Sequence, residues 1–234
     1  IVFPDMIFEA DLKALESLTH DGAVFVKEVD DPRRFGIALL ESDRVTKLIE
    51  KPEDPVSNLA IMGIYFVQDV RKLFSAIDRQ MQGNIQTKGE FFLADALQMM
   101  IDDGESFTTV PATVWEDCGT PIALLETNRF LLSRAANGHA DLEGSVFVDP
   151  VYISPTAKIS GSVVGPNVSI GDGVVVENAI VRDSIVDAGA VIDSAMLTRS
   201  IVGRNALVRG EPLRVNAGDS SDIRLRAARE NGGD

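Results

Sequence analysis

The stretch "VVGPNVSIGDGVVVENAIV", residues 163–181, decides how the second half of the chain folds. An aliphatic residue returns at every fifth or sixth position, at Val164, Ile170, Val176 and Val181, with small or turn-forming residues between. Aligning it with "ISPTAKI" from Ile153, "VDAGAVI" from Val186 and "VGRNALV" from Val202 produces three ladders. The first is Ile153, Ile170, Val186 and Val202; the second is Ile159, Val176, Ile192 and Val208; the third is Val164, Val181 and Leu197. Every rung lies 16 or 17 residues from the next. A constant turn length with three aliphatic ladders implies a triangular solenoid, each ladder stacking as one inner wall. A β-sandwich of short strands, the rival, imposes no such register.

This pattern resembles the left-handed parallel β-helix of hexapeptide-repeat proteins, here with about four turns over residues 145–212 and a C-terminal tail at 213–234. Many such proteins move acyl groups with a histidine base between coils. The two histidines, His20 and His139, lie outside the repeats and read as solvated surface or joint residues. The solenoid is therefore expected to serve interaction or assembly, and homo-oligomerisation through it is a further expectation.

Upstream, residues 1–135 alternate short apolar strands with helical segments, which implies an α/β layered domain. Strands are expected at 1–4, 23–29, 35–41, 45–51, 59–67 and 107–110. Helices are expected at 10–18, 70–81, 91–104 and 121–135. In the last helix Thr120 can cap, Pro121 suits the first turn, and Leu124, Leu125, Asn128, Leu131 and Leu132 fall on one face.

Composition narrows the function classes. With 22 basic against 36 acidic residues, a formal charge of -14 argues against a nucleic-acid or anionic-membrane partner. No apolar run approaches a membrane span and no signal-peptide pattern opens the chain, so the expected location is cytoplasmic. The single cysteine, Cys118, cannot form an internal disulfide and reads as a small buried apolar residue.

Chemistry concentrates in the first half. Glu50 and Lys51 end a strand that Pro52 stops, and strand ends of open α/β sheets are where ligands sit. An acid and a base side by side there can hold a polyol and a phosphate. A Glu-Lys-Pro triplet alone is common; what raises it is its ordered company, "RRFGIALLE", "SNLAIMGIYF", "KGEFFLADAL" and "VWEDCGT".

In that order these segments resemble the sugar-phosphate nucleotidylyltransferases, most nearly the long form of glucose-1-phosphate thymidylyltransferase with its C-terminal β-helix. The resemblance implies a Rossmann-like nucleotidyltransferase domain, and a magnesium-dependent joining of a nucleoside triphosphate, dTTP, to glucose 1-phosphate with release of pyrophosphate. It makes Asp5 and Asp117 the Mg²⁺-binding aspartates. It has Gly36 offer its backbone to the sugar, Glu50 hold sugar hydroxyls, and Lys51 contact the sugar phosphate. Ile61 and Tyr65 would line the sugar pocket, and Lys88 stands where relatives often carry an arginine near the phosphate. Physical chemistry agrees. Bringing phosphates together requires a metal and cations, and no protein nucleophile is needed because the substrate phosphate itself attacks.

Three positions depart from the family. Pro4 precedes Asp5 where glycine is usual, Ala94 replaces a common threonine, and Cys118 occupies a variable site. The glycine-rich loop, arginine and lysine that grip the triphosphate in relatives do not occur, so the chain is expected to be an N-terminally truncated C-terminal part, inactive as given. The alternatives are transfer of a guanylyl, adenylyl or uridylyl group to a related sugar phosphate, and a non-catalytic scaffold assembling through its β-helix.

Overall fold

A computed structural model describes residues 1–54, 56–135 and 144–211. His139 and the tail at 213–234 lie outside the described residues. The chain divides into two compact units, Ile1–Phe130 and Leu131–Asp234.

The first unit is built on a six-stranded sheet of β1 (Met6–Ala10), β2 (Gly22–Glu28), β3 (Gly36–Glu41), β4 (Arg44–Glu50), β5 (Leu59–Val67) and β6 (Phe107–Asp117). Their spatial order is β1-β6-β2-β5-β3-β4. Only the β2–β6 pair is parallel; the others are antiparallel. β2 is central, and its residues from Gly22 to Val26 are all buried. A strand covered on both faces requires that continuous apolar run. One face packs Val24, Val26, Ala38 and Leu48 against Leu73 and Ala76 of α1 (Val70–Gln82) and Leu97 and Met100 of α2 (Leu93–Asp102). The other buries Phe25, Met62, Ile64 and Val110 against Phe8, Leu15 and Trp115.

Four local expectations need correction. Residues 1–4 do not form a regular strand: Val2 bridges Ile64 alone, while Phe3 N donates to Gly63 O at 3.1 Å and Tyr65 N donates to Ile1 O at 3.0 Å. The regular strand is β1, one step later. Residues 10–18 hold a 3₁₀ helix, Leu12–Ser17, opened by an Asp11 carboxylate that accepts from Lys13 N at 3.0 Å. The strand expected at 107–110 continues to Asp117, because Pro111, opposite Val26, lies where β6 leaves β2 and passes on to β1. The helix expected from residue 91 starts at Leu93, after an extended Phe92.

The fourth helix, α3 (Pro121–Arg134), is capped as expected, with Thr120 Oγ1 accepting from Ala123 N at 3.2 Å. Its buried positions are Leu125, Thr127, Asn128 and Leu132, whereas Leu131, expected on that face, is 43% exposed. Among the described residues no helix is long and apolar enough to cross a membrane.

Among the described residues of the second unit, twelve short strands, from Val146–Phe147 to Leu207–Arg209, form three four-stranded parallel sheets, a parallel β-helix of about four turns. All three ladders stand in the register read from the sequence: Ile170 pairs with Ile153 and Val186, Val176 with Ile159 and Ile192, and Val181 with Val164 and Leu197. Phe147 extends the third ladder below Val164. The inward rungs Val164, Ile170, Val176, Val181 and Ile192 are wholly buried. Buried serines satisfy the turns: Ser162 Oγ accepts from Ala179 N and Ser184 Oγ from Ser200 N, each at 3.1 Å.

Candidate active site

A cleft of about 510 Å³ opens on the first unit. Asp5, Gly36, Glu50, Lys51, Ile61, Tyr65 and Asp117, seven of the eight residues singled out from the sequence, line it. The eighth, Lys88, is tied to its wall, with Nζ donating to the Lys51 carbonyl at 2.8 Å.

The β3–β4 hairpin explains why Gly36, Glu50 and Lys51 meet. Its register sets Gly36 opposite Glu50, and the next amide, Lys51 N, donates to Phe35 O at 3.1 Å. A Cβ at Gly36 would lie 2.8 Å from Glu50 Oε2 and 3.2 Å from Ile61 Cδ1, so only a hydrogen leaves the carboxylate where it stands. Lys51 turns the chain with φ +43°, and its ammonium lies 4.9 Å from the centroid of the Phe92 ring. Lys88 sits in a tight turn closed by mutual hydrogen bonds between Thr87 and Glu90 at 3.0 and 3.1 Å. Thr87 Oγ1 also donates to Asp95 Oδ2 at 2.9 Å, which anchors that turn to α2.

Ile61 and Tyr65 come together through a bulge. Val24 pairs with Tyr65 but Val26 with Ile61, so β5 holds extra residues between them, and Gly63 takes φ +76° there. Both flanking side chains are buried.

The two aspartates converge through the β1–β6 pairing. Met6 stands opposite Asp117, and Cys118 N donates to Asp5 O at 3.0 Å. A methyl group at Gly119 would lie 3.0 Å from Asp117 Oδ1 and 3.9 Å from Asp5 Oδ2, so both carboxylates border one small volume. Such hard oxygen donors suit a divalent cation that keeps its other positions for water or phosphate. Among the described residues no group of three or more His, Cys, Asp or Glu is placed to hold a metal.

Burial pushes the Glu50 carboxyl above its ordinary value, with the neighbouring Lys51 charge opposing the shift. Burial also raises the Tyr65 phenol, and the Glu50 charge adds to it. An ionised Glu50 is thus held at a cost to folding. Below its raised pKa the group is neutral and costs little; as pH rises through that pKa the cost appears. Glu50→Gln should therefore be more stable than the parent at neutral pH and lose that advantage on acidification, read by thermal unfolding across pH 4 to 8. A parent more stable at neutral pH would contradict this.

Several wall residues escaped the sequence reading. Arg34 lies 3.6 Å from Asp117, and Phe35 packs on Trp115 with ring centroids 4.8 Å apart. Arg34 and Phe35 stand in "RRFGIALLE" and Trp115 in "VWEDCGT", but nothing in those segments marks the pairings, which are long-range. Cys118, expected to be buried, is half-buried. His20 does not line the cleft; it is half-buried, with Nε2 3.8 Å from Asp43 Oδ2.

Residues 2–134 match the family described as nucleotidyl transferase, and residues 147–218 match the GMPPB C-terminal domain. Among curated proteins, the bifunctional protein GlmU of Methanocaldococcus jannaschii is 35% identical over 147 residues, 62% of this chain and 34% of that protein. The glucose-1-phosphate thymidylyltransferase of Streptomyces griseus is 30% identical over 186 residues, 70% of this chain and 51% of that one. The low-salt glycan biosynthesis nucleotidyltransferase Agl11 of Haloferax volcanii is 34% identical over 123 residues, 52% and 33% of the two chains. The chain thus spans about half the length or less of these relatives. With more than half of its length matched and an acid, a lysine and two aspartates gathered in one cleft, the chain belongs to the nucleotidyl transferase family, among its sugar-phosphate nucleotidyltransferases.

Proposed function

We propose that the protein serves the joining of dTTP to glucose 1-phosphate, and that this chain supplies the sugar-phosphate side of the site. The observation that carries the reading is the placement of Glu50 and Lys51 side by side at the end of β4, in the same cleft as Asp5 and Asp117. Glu50 accepts hydrogen bonds from sugar hydroxyls, above a floor of Ile61 and Tyr65. Gly36, which lines the cleft against Glu50 and Ile61, offers its backbone to the sugar. Lys51, backed by Lys88, neutralises the phosphate. A phosphate oxygen of the sugar phosphate forms a bond to the α-phosphorus of the triphosphate; the bond from that phosphorus to the β-phosphate bridge breaks, and pyrophosphate leaves. Holding the attacking oxygen in line is the protein's task, and no side chain need act as nucleophile.

Family members generally use a divalent metal. Asp5 and Asp117 would hold Mg²⁺ here, and it would supply charge neutralisation between the phosphates.

The choice of dTTP and glucose 1-phosphate is supported by the alignment to the Streptomyces griseus thymidylyltransferase, which spans 186 residues. A second reading, another nucleobase or sugar phosphate, is supported by the match of residues 147–218 to the GMPPB C-terminal domain. Pyrophosphate release from a panel of nucleoside triphosphates and sugar 1-phosphates distinguishes them, using a protein that joins this chain to a glycine-rich triphosphate-binding segment. Preference for dTTP with glucose 1-phosphate is expected. Preference for another pair would replace the first reading with the second, and no release with any pair would remove both.

A further inference from the structure

Arg34 is a cation that faces Asp117. It ends a short 3₁₀ turn, Pro32–Arg34, directly before Phe35. Its Nη2 lies 3.6 Å from Asp117 Oδ2, and its guanidinium carbon lies 5.8 Å from the centroid of the Phe35 ring. Phe35 is itself braced on Trp115, so the arginine is backed by a packed aromatic pair.

The two oxygens of Asp117 are differently engaged. Oδ1 accepts from Gly119 N at 2.8 Å and is held by its own turn. Oδ2 is the oxygen that faces Arg34. A carboxylate oxygen that accepts one hydrogen bond keeps a lone pair, so either oxygen of Asp117 can serve a cation shared with Asp5. Arg34 and such a cation therefore draw on the same carboxylate, and two positive charges cannot stand together there without mutual repulsion.

We propose that Arg34 is an internal counter-ion that competes with the divalent metal for Asp117 and so sets the metal affinity of the site. The guanidinium is a diffuse, weakly hydrated charge, whereas a divalent ion concentrates two charges on a small radius. Only an ion of high charge density displaces it, which disfavours monovalent ions at the same carboxylate. The inference rests on the proposed metal-binding role of Asp5 and Asp117.

The test is a titration of the full chain with Mn²⁺, free ion being followed by electron paramagnetic resonance, for the parent, Arg34→Gln, Arg34→Lys and Asp117→Asn. The Arg34 side chain is 62% exposed, so its replacement leaves the fold intact. Arg34→Gln is expected to bind Mn²⁺ up to about fivefold more tightly than the parent, the scale of an exposed ion pair. Arg34→Lys should stay close to the parent because it keeps the charge, and Asp117→Asn should lose most of the binding. If Asp117→Asn loses binding while Arg34→Gln binds no more tightly than the parent, the counter-ion role is wrong and the metal site stands. If Asp117→Asn binds Mn²⁺ as the parent does, or the parent binds none, the metal site is wrong and the counter-ion role falls with it.

Discussion

Lys51→Met is expected to weaken glucose 1-phosphate binding to this chain by roughly ten- to a hundredfold, with little change in melting temperature. A hydrogen bond to a charged group is worth about 1.5–3 kcal/mol, and each 1.4 kcal/mol is about a factor of ten in affinity. The Lys51 ammonium rests against the Phe92 ring, an apolar wall, so a phosphate arriving there displaces no strong partner except the nearby Glu50 charge. Lys88 cannot take over fully, because its Nζ is engaged with the Lys51 carbonyl at 2.8 Å. Methionine keeps the unbranched stem of the side chain without its terminal ammonium and tolerates the Phe92 face, and the φ of +43° is as unfavourable for it as for lysine. Isothermal titration calorimetry reads the affinity and differential scanning fluorimetry the stability. Unchanged affinity would remove Lys51 from the phosphate site.

Gly36→Ala should do comparable damage to the sugar end of the same ligand. The added methyl would stand 2.8 Å from Glu50 Oε2, closer than a carbon and an oxygen can approach. The Glu50 carboxylate is the terminus of a flexible side chain, so it will swing aside and the fold will lose little. Its hydrogen bonds to the sugar hydroxyls go with it, and glucose 1-phosphate affinity is expected to fall by about tenfold or more. The cause can be isolated with a double-mutant cycle: in a Glu50→Ala background the same glycine substitution should add almost nothing. If the full loss persists without Glu50, the clash with that carboxylate is not the reason for the glycine.

These two positions show why much of the site was legible in the sequence. Gly36 and Glu50 are cross-strand partners in a short hairpin, so their proximity follows from local register. The β-helix was legible for a similar reason, since each of its contacts repeats at a fixed interval and size. Phe147 escaped the third ladder because an aromatic residue broke the aliphatic pattern, although it pairs with Val164 like the other rungs.

What the sequence hid depends on partners distant along the chain. β1 is five residues long and pairs with the far end of β6, so neither its length nor its composition marks it. Pro111 reads as a strand terminus. It is instead the place where β6 changes partner, and "VWEDCGT" consequently leads off a strand. Arg34 gave no signal because its meaning lies in Asp117, which the fold alone brings within 3.6 Å. The expected burial of Leu131 failed since helical spacing shows which residues share a face but not how wide the covered stripe is.

In the proposed function this cleft receives a sugar 1-phosphate beside a divalent metal. A crystal structure of the chain with α-D-glucose 1-phosphate and Mn²⁺ tests it most directly. The sugar hydroxyls are expected on Glu50 and the Gly36 backbone, the phosphate on Lys51, and the metal on Asp5 and Asp117. Sugar phosphate bound elsewhere on the chain, or bound in the cleft with its phosphate turned away from Lys51, would contradict it.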